Sequence, residues 1–373
     1  MAETMISYLK RYGDKTLADK PFNEVDSLLL CQLSYLKFDG MVPTIRDNKA
    51  SVTLADIYQM GNYENLYADE RYEKDNRAMF MAMLESRRFR ELKLNCYQNL
   101  LEKEREIQFA AVTYVLGDGN IYVAFRGTDE TFVGWKEDFN MAFMSPIPAQ
   151  TYAMRYLNVI AGMVNVPIIV GGHSKGGNLA VYASMYCLDS VRNRIRTIYN
   201  MDGPGFRREV LENGHYDKIA KKVVKVRPYA SIVGMLFETD YNYRVIESRT
   251  FGLAQHNPFT WTVKDNHFVD IETLSESKRF MNDTLNEWLL SLSEEQLRRF
   301  VETLYQIISA SQADNLIDLA ADWKKSMTGI AGALKEVDDE TSVMLKKVLR
   351  SLFEVIGLKL PLKKKNKQVE EPR

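Results

Sequence analysis

Residues 168–180 read Ile-Ile-Val-Gly-Gly-His-Ser-Lys-Gly-Gly-Asn-Leu-Ala. They constrain the fold more than any other stretch of the chain. Gly172-His173-Ser174-Lys175-Gly176 is a G-x-S-x-G pattern. Ile168-Ile169-Val170 before it reads as a short buried strand, and Asn178 to Cys187 after it reads as a helix. This is the strand–turn–helix context in which a serine is held on a sharp turn with its Oγ raised above a sheet. Such a turn strains the serine backbone and leaves room only for small neighbours, which accounts for Gly172, Gly176 and Gly177.

The surrounding texture agrees with an α/β architecture. Glu106–Val115 and Asn120–Phe125 are strand-like, and Gly117-Asp118-Gly119-Asn120 joins them as a hairpin. A helix is predicted over 149–164, then the strand and helix around Ser174. Two more strands follow at Arg196–Met201 and Lys222–Arg227. Strands alternating with helices predict a mostly parallel sheet covered on both faces.

Upstream, residues 21–40 look like a capped amphipathic helix. Asn23 and Asp26 can close its start, and Val25, Leu28, Leu29, Leu33 and Leu36 recur at helical spacing. Residues 51–90 are polar and charged, with Thr53 to Asp56 as another start signal, and read as short helices. Beyond about residue 275 the strands stop and helical patterns take over. Ser293-Glu-Glu-Gln296 is a capping box there. The last helix carries Leu345, Val348, Leu349, Leu352 and Ile356 on one face and stops at Gly357. The expected organisation is an N-terminal helical segment (1–104), an α/β core (105–274), a C-terminal helical extension (275–358) and a basic, disordered tail (359–373).

The chain has 373 residues, enough for a large core, and carries 49 basic against 50 acidic side chains. That balance gives no field favouring nucleic acid. Three cysteines, Cys31, Cys96 and Cys187, lie far apart in apolar contexts and predict reduced, buried thiols in a reducing compartment. The opening residues lack a secretory apolar region, and no run of about 18 uncharged apolar residues occurs. A soluble cytoplasmic protein is expected. No metal-ligand spacing and no nucleotide-binding glycine pattern is present, so neither a metal nor a cofactor is expected.

Two stretches resemble the class 3 lipases, an α/β-hydrolase family. One is Gly172-His-Ser-Lys-Gly-Gly-Asn-Leu-Ala180. The other is Val123-Ala-Phe-Arg-Gly-Thr128 with Trp135 and Asp138, similar to that family's F-R-G-[TS]…W…D segment. The resemblance covers roughly 105–270. Together with Pro21–Gly40, Asp202–Phe206, Ser231–Leu236 and Gln255–Trp261 it looks like a bacterial branch of that superfamily. It implies an α/β-hydrolase fold and a serine hydrolase acting on an ester, thioester or lipid acyl bond. It also implies Ser174 as nucleophile and the Thr128 backbone N–H as an oxyanion donor. The second donor would be the N–H of Lys175, the residue after the nucleophile. A strand ending in a tight turn is the other reading of Phe-Arg-Gly-Thr.

A serine nucleophile needs a base and an acid that orients it. His173 precedes the turn and is expected to be structural, while His215 sits in a polar loop and is expected to be solvated. His256 and His267 follow the last strands; His256, in Leu253-Ala-Gln-His-Asn-Pro-Phe, matches the family position and is the preferred base. The family's acid lies in a D-I-V-P segment, where this chain has Ser231-Ile-Val-Gly. Asp202, at the end of the preceding strand, is the substitute acid; a turn role before Gly-Pro is its other reading. Glu238 and Asp240 are weaker candidates, and a Ser–His pair without an acid is a further one. Lys175 departs from the apolar residue usual there. It either projects to solvent or, pointing into the cleft, favours an anionic substrate.

Two other functions fit the same residues: a non-catalytic interaction module that has lost the acid, and an acyltransferase. The expected partner is a small-molecule or lipid acyl substrate. The last helix and Lys363-Lys364-Lys365-Asn-Lys367 could also touch an anionic membrane surface, or pack and solvate the terminus. Oligomeric state is left open.

Overall fold

β-Branched and aromatic residues build the central sheet of the computed structural model. The structure describes residues 3–47, 50–67, 72–102, 104, 107–128, 141, 145–229, 231–236, 242–250 and 252–271, with 292–293, 295–296, 298, 342–343 and 346 beyond them. The strands are β1 (Val52–Thr53), β2 (Lys93–Glu102), β3 (Ile107–Val115), β4 (Ile121–Phe125), β5 (Ile168–His173), β6 (Ile195–Met201), β7 (Val223–Pro228) and β8 (Arg244–Ile246). Their order across the sheet is their order in the chain. β1 to β4 pair antiparallel, and β4 to β8 pair parallel. A separate two-stranded ribbon joins β9 (Val263–Lys264) to β10 (His267–Phe268). This is an α/β-hydrolase fold.

The antiparallel part follows from turn chemistry. Between β3 and β4, Leu116 N donates to Asn120 O at 2.9 Å, and Gly119 adopts φ +84°. Asp118 Oδ1 accepts from Asn120 N at 3.0 Å and closes the hairpin. The parallel part needs crossovers. Helix Pro148–Met163 links β4 to β5, and helix Lys175–Tyr186 links β5 to β6. Alternation then sends Ile121, Val123 and Phe125 toward these two helices, with Val170 and Ile198. Tyr122 and Ala124 face the other way, with Ile169 and Tyr199.

That second face is covered by the N-terminal helices. In chain order the described helices up to residue 186 are α1 (Met5–Tyr12), α2 (Glu24–Leu33), α3 (Leu54–Met60), α4 (Tyr63–Leu66), α5 (Glu73–Glu85), α6 (Pro148–Met163) and α7 (Lys175–Tyr186), and one-turn helices follow at Asp189–Arg192, Arg208–Leu211 and Ile232–Met235. α2 begins with the expected capping box: Asn23 Oδ1 accepts from Val25 N, and Asp26 Oδ2 from Asn23 N at 3.0 Å. α2 is not amphipathic in its setting, because every one of its residues is buried. It lies between the sheet and the other helices, so its polar side chains need internal partners. Ser27 Oγ meets Tyr122 Oη at 2.7 Å, Gln32 Nε2 donates to Asn76 Oδ1 at 2.9 Å, and Asp26 pairs with Arg88. Leu28, Leu29 and Leu30 are fully buried. Truncating one of them to Ala removes about 2–5 kcal/mol.

The segment read as N-terminal and helical, 1–104, differs from that expectation. α3 starts at the expected Thr53–Asp56 box, but β1 and the ten-residue β2 lie in the same segment and belong to the main sheet. β2 is hard to see in the sequence because Lys93 to Cys96 alternate but Cys96-Tyr97, Gln98-Asn99 and Leu100-Leu101 then break the period, where the register shifts between Asn95 and Gln98. β8 was likewise not expected. The three cysteines are free and buried. Ser293 and Gln296 form their capping bonds, with Ser293 Oγ accepting from Gln296 N at 3.2 Å and Gln296 Oε1 from Ser293 N at 2.8 Å. The remaining helices expected after 275, the Lys363–Lys367 run, Trp135, Asp138, Glu238 and Asp240 lie outside the described residues. Among the described residues no helix is long and apolar enough to cross a membrane.

Candidate active site

The site forms where the parallel strands end. β5 runs into Ser174, which adopts φ 58° and ψ −136°, and α7 starts at the next residue. This backbone region costs a non-glycine residue about 1–3 kcal/mol, so the surroundings must enforce it. They do so through close contacts. A Cβ on Gly172 would lie 2.1 Å from the Gly176 carbonyl carbon, and one on Gly176 would lie 2.1 Å from Phe125 O. Only glycine permits this approach of strand, turn and helix. Ser174 N donates to Met201 O at 2.9 Å, and Gly177 N to Ser174 O at 2.8 Å. The serine is 7% exposed.

β6 supplies the carboxylate. Asp202 follows its last residue with φ 56°, and its N–H donates to Val226 O at 2.8 Å. The side chain is fully buried. His256, at the end of the 3₁₀ turn Gly252–His256, reaches Asp202 Oδ2 through Nδ1 at 2.6 Å. An ionised carboxylate can only accept, so Nδ1 carries a proton, and in the neutral ring the lone pair is then on Nε2. That is the tautomer a general base requires. Among the described residues Ser174 Oγ and His256 share no hydrogen bond. Such bonds often close only with substrate in place.

His173 packs against His256 from the other side. Its ring stacks on that of His256, with centroids 4.6 Å apart and planes at 29°. Its Nε2 lies 3.0 Å from the His256 carbonyl oxygen, an acceptor, so Nε2 is protonated. Nδ1 lies 3.2 Å from Tyr35 Oη. Burial first, and the neighbouring His256 second, hold His173 well below the usual imidazole pKa, so it stays neutral. The turn carrying His256 is tied down by Trp261, whose Nε1 donates to Gln255 O at 2.8 Å, and by Gln255 Nε2 donating to Thr250 O at 2.9 Å.

The Phe-Arg-Gly-Thr turn abuts the serine. A Cβ on Gly127 would lie 3.0 Å from Ser174 Cβ, which puts Thr128 one residue from the position that flanks Ser174. Lys175 follows neither route expected of it. It is 1% exposed, and its Nζ donates to Gln108 O at 3.1 Å and Gln108 Oε1 at 3.2 Å on β3. The first turn of α7 packs over the sheet, so the side chain runs inward instead of to solvent or to an open cleft. Its backbone N–H remains at the start of α7, where helix donors are unsatisfied within the helix.

The other histidines stand apart. His267 is 64% exposed on β10, with Nδ1 3.6 Å from Glu24 Oε1. His215 is half-buried, its ring 4.8 Å from that of Tyr186. The structure places Ser174, Asp202, His256 and Thr128 at one end of the sheet. The sequence gives no sign of Tyr35, which contacts His173 across 138 residues of chain. It also gives no role to Ser231, whose Oγ donates to Asp202 Oδ2 at 2.5 Å.

A family model described as Mbeg1-like matches residues 83–306, which contain every one of the candidate catalytic residues. No curated protein matches the chain. Among solved structures, one titled "Crystal structure of M37 lipase" aligns over 87% of this chain and 98% of that chain, at 12% identity and a TM-score of 0.38. A likeness at that level carries no weight for activity.

Proposed function

The chain belongs to the Mbeg1-like family, and from that premise and the geometry at Ser174 we propose a serine hydrolase that cleaves an ester, thioester or lipid acyl bond. The observation that carries this reading is the 2.6 Å bond from His256 Nδ1 to Asp202 Oδ2, made beside a serine on a strained strand–helix turn.

In this reading Ser174 Oγ attacks the substrate carbonyl carbon while its proton passes to His256 Nε2. The imidazolium that forms is stabilised by buried Asp202. The carbonyl oxygen becomes an oxyanion and accepts from the backbone N–H groups of Thr128 and Lys175; removing one such donor typically costs about 3–4 kcal/mol of the barrier. The tetrahedral intermediate collapses, the alcohol or thiol leaves with the proton from His256, and an acyl-enzyme remains on Ser174. Water, deprotonated by His256, then releases the acid and restores the serine. No metal or cofactor enters the scheme.

The reading is tested with short p-nitrophenyl esters. Wild-type protein should turn them over, and Ser174→Ala should not. Turnover by an acceptor alcohol in preference to water would make the protein an acyltransferase. Equal turnover in both proteins would remove Ser174 from the chemistry.

A further inference from the structure

Asp202 has two carboxylate oxygens in unlike settings. Oδ2 accepts from His256 Nδ1 at 2.6 Å and from Ser231 Oγ at 2.5 Å. Oδ1 is buried and has no hydrogen-bond partner among the described residues. A Cβ on Gly234 would lie 2.1 Å from that Oδ1, so the backbone of the short helix Ile232–Met235 closes off this side. Ser231 is itself fully buried, and its N–H donates to Pro228 O at 3.3 Å at the end of β7. The helix that follows it packs against the turn bearing His256. One segment therefore touches both acid and base.

Resting on the hydrolase reading, we propose that Ser231 is a positioning residue: its hydroxyl fixes the Asp202 carboxylate in the orientation that holds His256. The physical need is specific. The last torsion of an aspartate is broad and roughly two-fold, so packing alone sets it loosely. A second donor on Oδ2 pins it, because rotation would break the Ser231 bond together with the His256 bond. A fully buried carboxylate also needs donors, and Ser231 is the one described donor apart from the imidazole. When His256 gains its second proton, the charge it faces is already in place and need not reorient. Ser231 touches no reacting atom; it acts through Asp202.

The test is Ser231→Ala in the full chain, which removes one buried oxygen and leaves the packing. On a p-nitrophenyl ester kcat should fall about 10-fold with KM unchanged, the loss expected for one hydrogen bond to a charged group. The lowest-field imidazole proton resonance, assigned to His256 Nδ1–H by its loss in His256→Ala, should shift upfield or broaden. An unchanged kcat in active enzyme overturns the proposal whatever the resonance does. A fall in kcat with the resonance in place also overturns it, because the role is then structural. If wild-type protein shows no Ser174-dependent turnover, the hydrolase reading fails separately, and the resonance alone decides whether Ser231 orients the pair.

Discussion

His256 and Asp202 meet through Nδ1 and Oδ2 at 2.6 Å, although 54 residues separate them in the chain. The carboxylate comes from the end of β6 and the imidazole from a turn beyond β8. The bond fixes which imidazole nitrogen carries the proton. Asp202→Asn keeps the shape of the side chain but replaces the carboxylate with an amide that can bond the wrong tautomer. We expect kcat to fall on the order of 10³–10⁴-fold, and by less than in Ser174→Ala. Glu238→Gln and Asp240→Asn should stay near wild type. An unchanged rate in Asp202→Asn with a lowered Tm would make Asp202 a turn residue.

His256→Ala should lose about as much activity as Ser174→Ala, because members of such a unit fail together. His267→Ala should lose little, since His267 is 64% exposed and its neighbour is Glu24. Steady-state rates on one ester decide between them; the reverse ranking would move the base to His267.

Much of this arrangement was legible in the sequence, for physical reasons. Gly172 and Gly176 crowd each other four residues apart across the Ser174 turn, so a local pattern reveals them, although Gly176 also meets Phe125 O from the neighbouring strand. The continuous apolar runs Ile121–Phe125 and Ile168–Val170, buried on both faces, are likewise a local signal. Asp202 was legible only as one of several acids, because the choice depends on where β6 and the His256 turn converge. β2 was hidden by the register shift between Asn95 and Gln98, which breaks its polar–apolar alternation. Tyr35 and Ser231 were illegible as site residues. Their roles come from single side-chain contacts across the fold, and neither contact leaves a spacing or a composition behind.

Lys175 shows the same limit in reverse. A lysine at the head of a helix reads as exposed, yet here Nζ sits between the carbonyl and side-chain oxygens of Gln108. Lys175→Ala should lower unfolding stability by about 1–3 kcal/mol, because it leaves buried acceptors on β3 without this donor. A urea midpoint measurement checks this. An unchanged midpoint would mean that the ammonium group is solvated.

His173 predicts a pH dependence. Its folded pKa is held well below the ordinary 6.5 by burial and then by His256. The unfolded chain therefore takes up this proton first as pH falls. The contribution to stability is complete above about pH 6.5 and is lost as pH drops from there toward the folded value. Tm should fall between pH 7 and pH 5, and His173→Gln should show a shallower fall. Equal slopes in the two proteins would show that His173 protonates freely in the folded state.

The central claim, that Ser174 is an activated nucleophile, is tested most directly by fluorophosphonate labelling read by mass spectrometry. The account predicts a covalent adduct on the peptide containing Ser174 in folded wild-type protein and none in Ser174→Ala. Folded wild-type protein that takes up no label, or a Ser174→Ala protein labelled to the same extent, would contradict it.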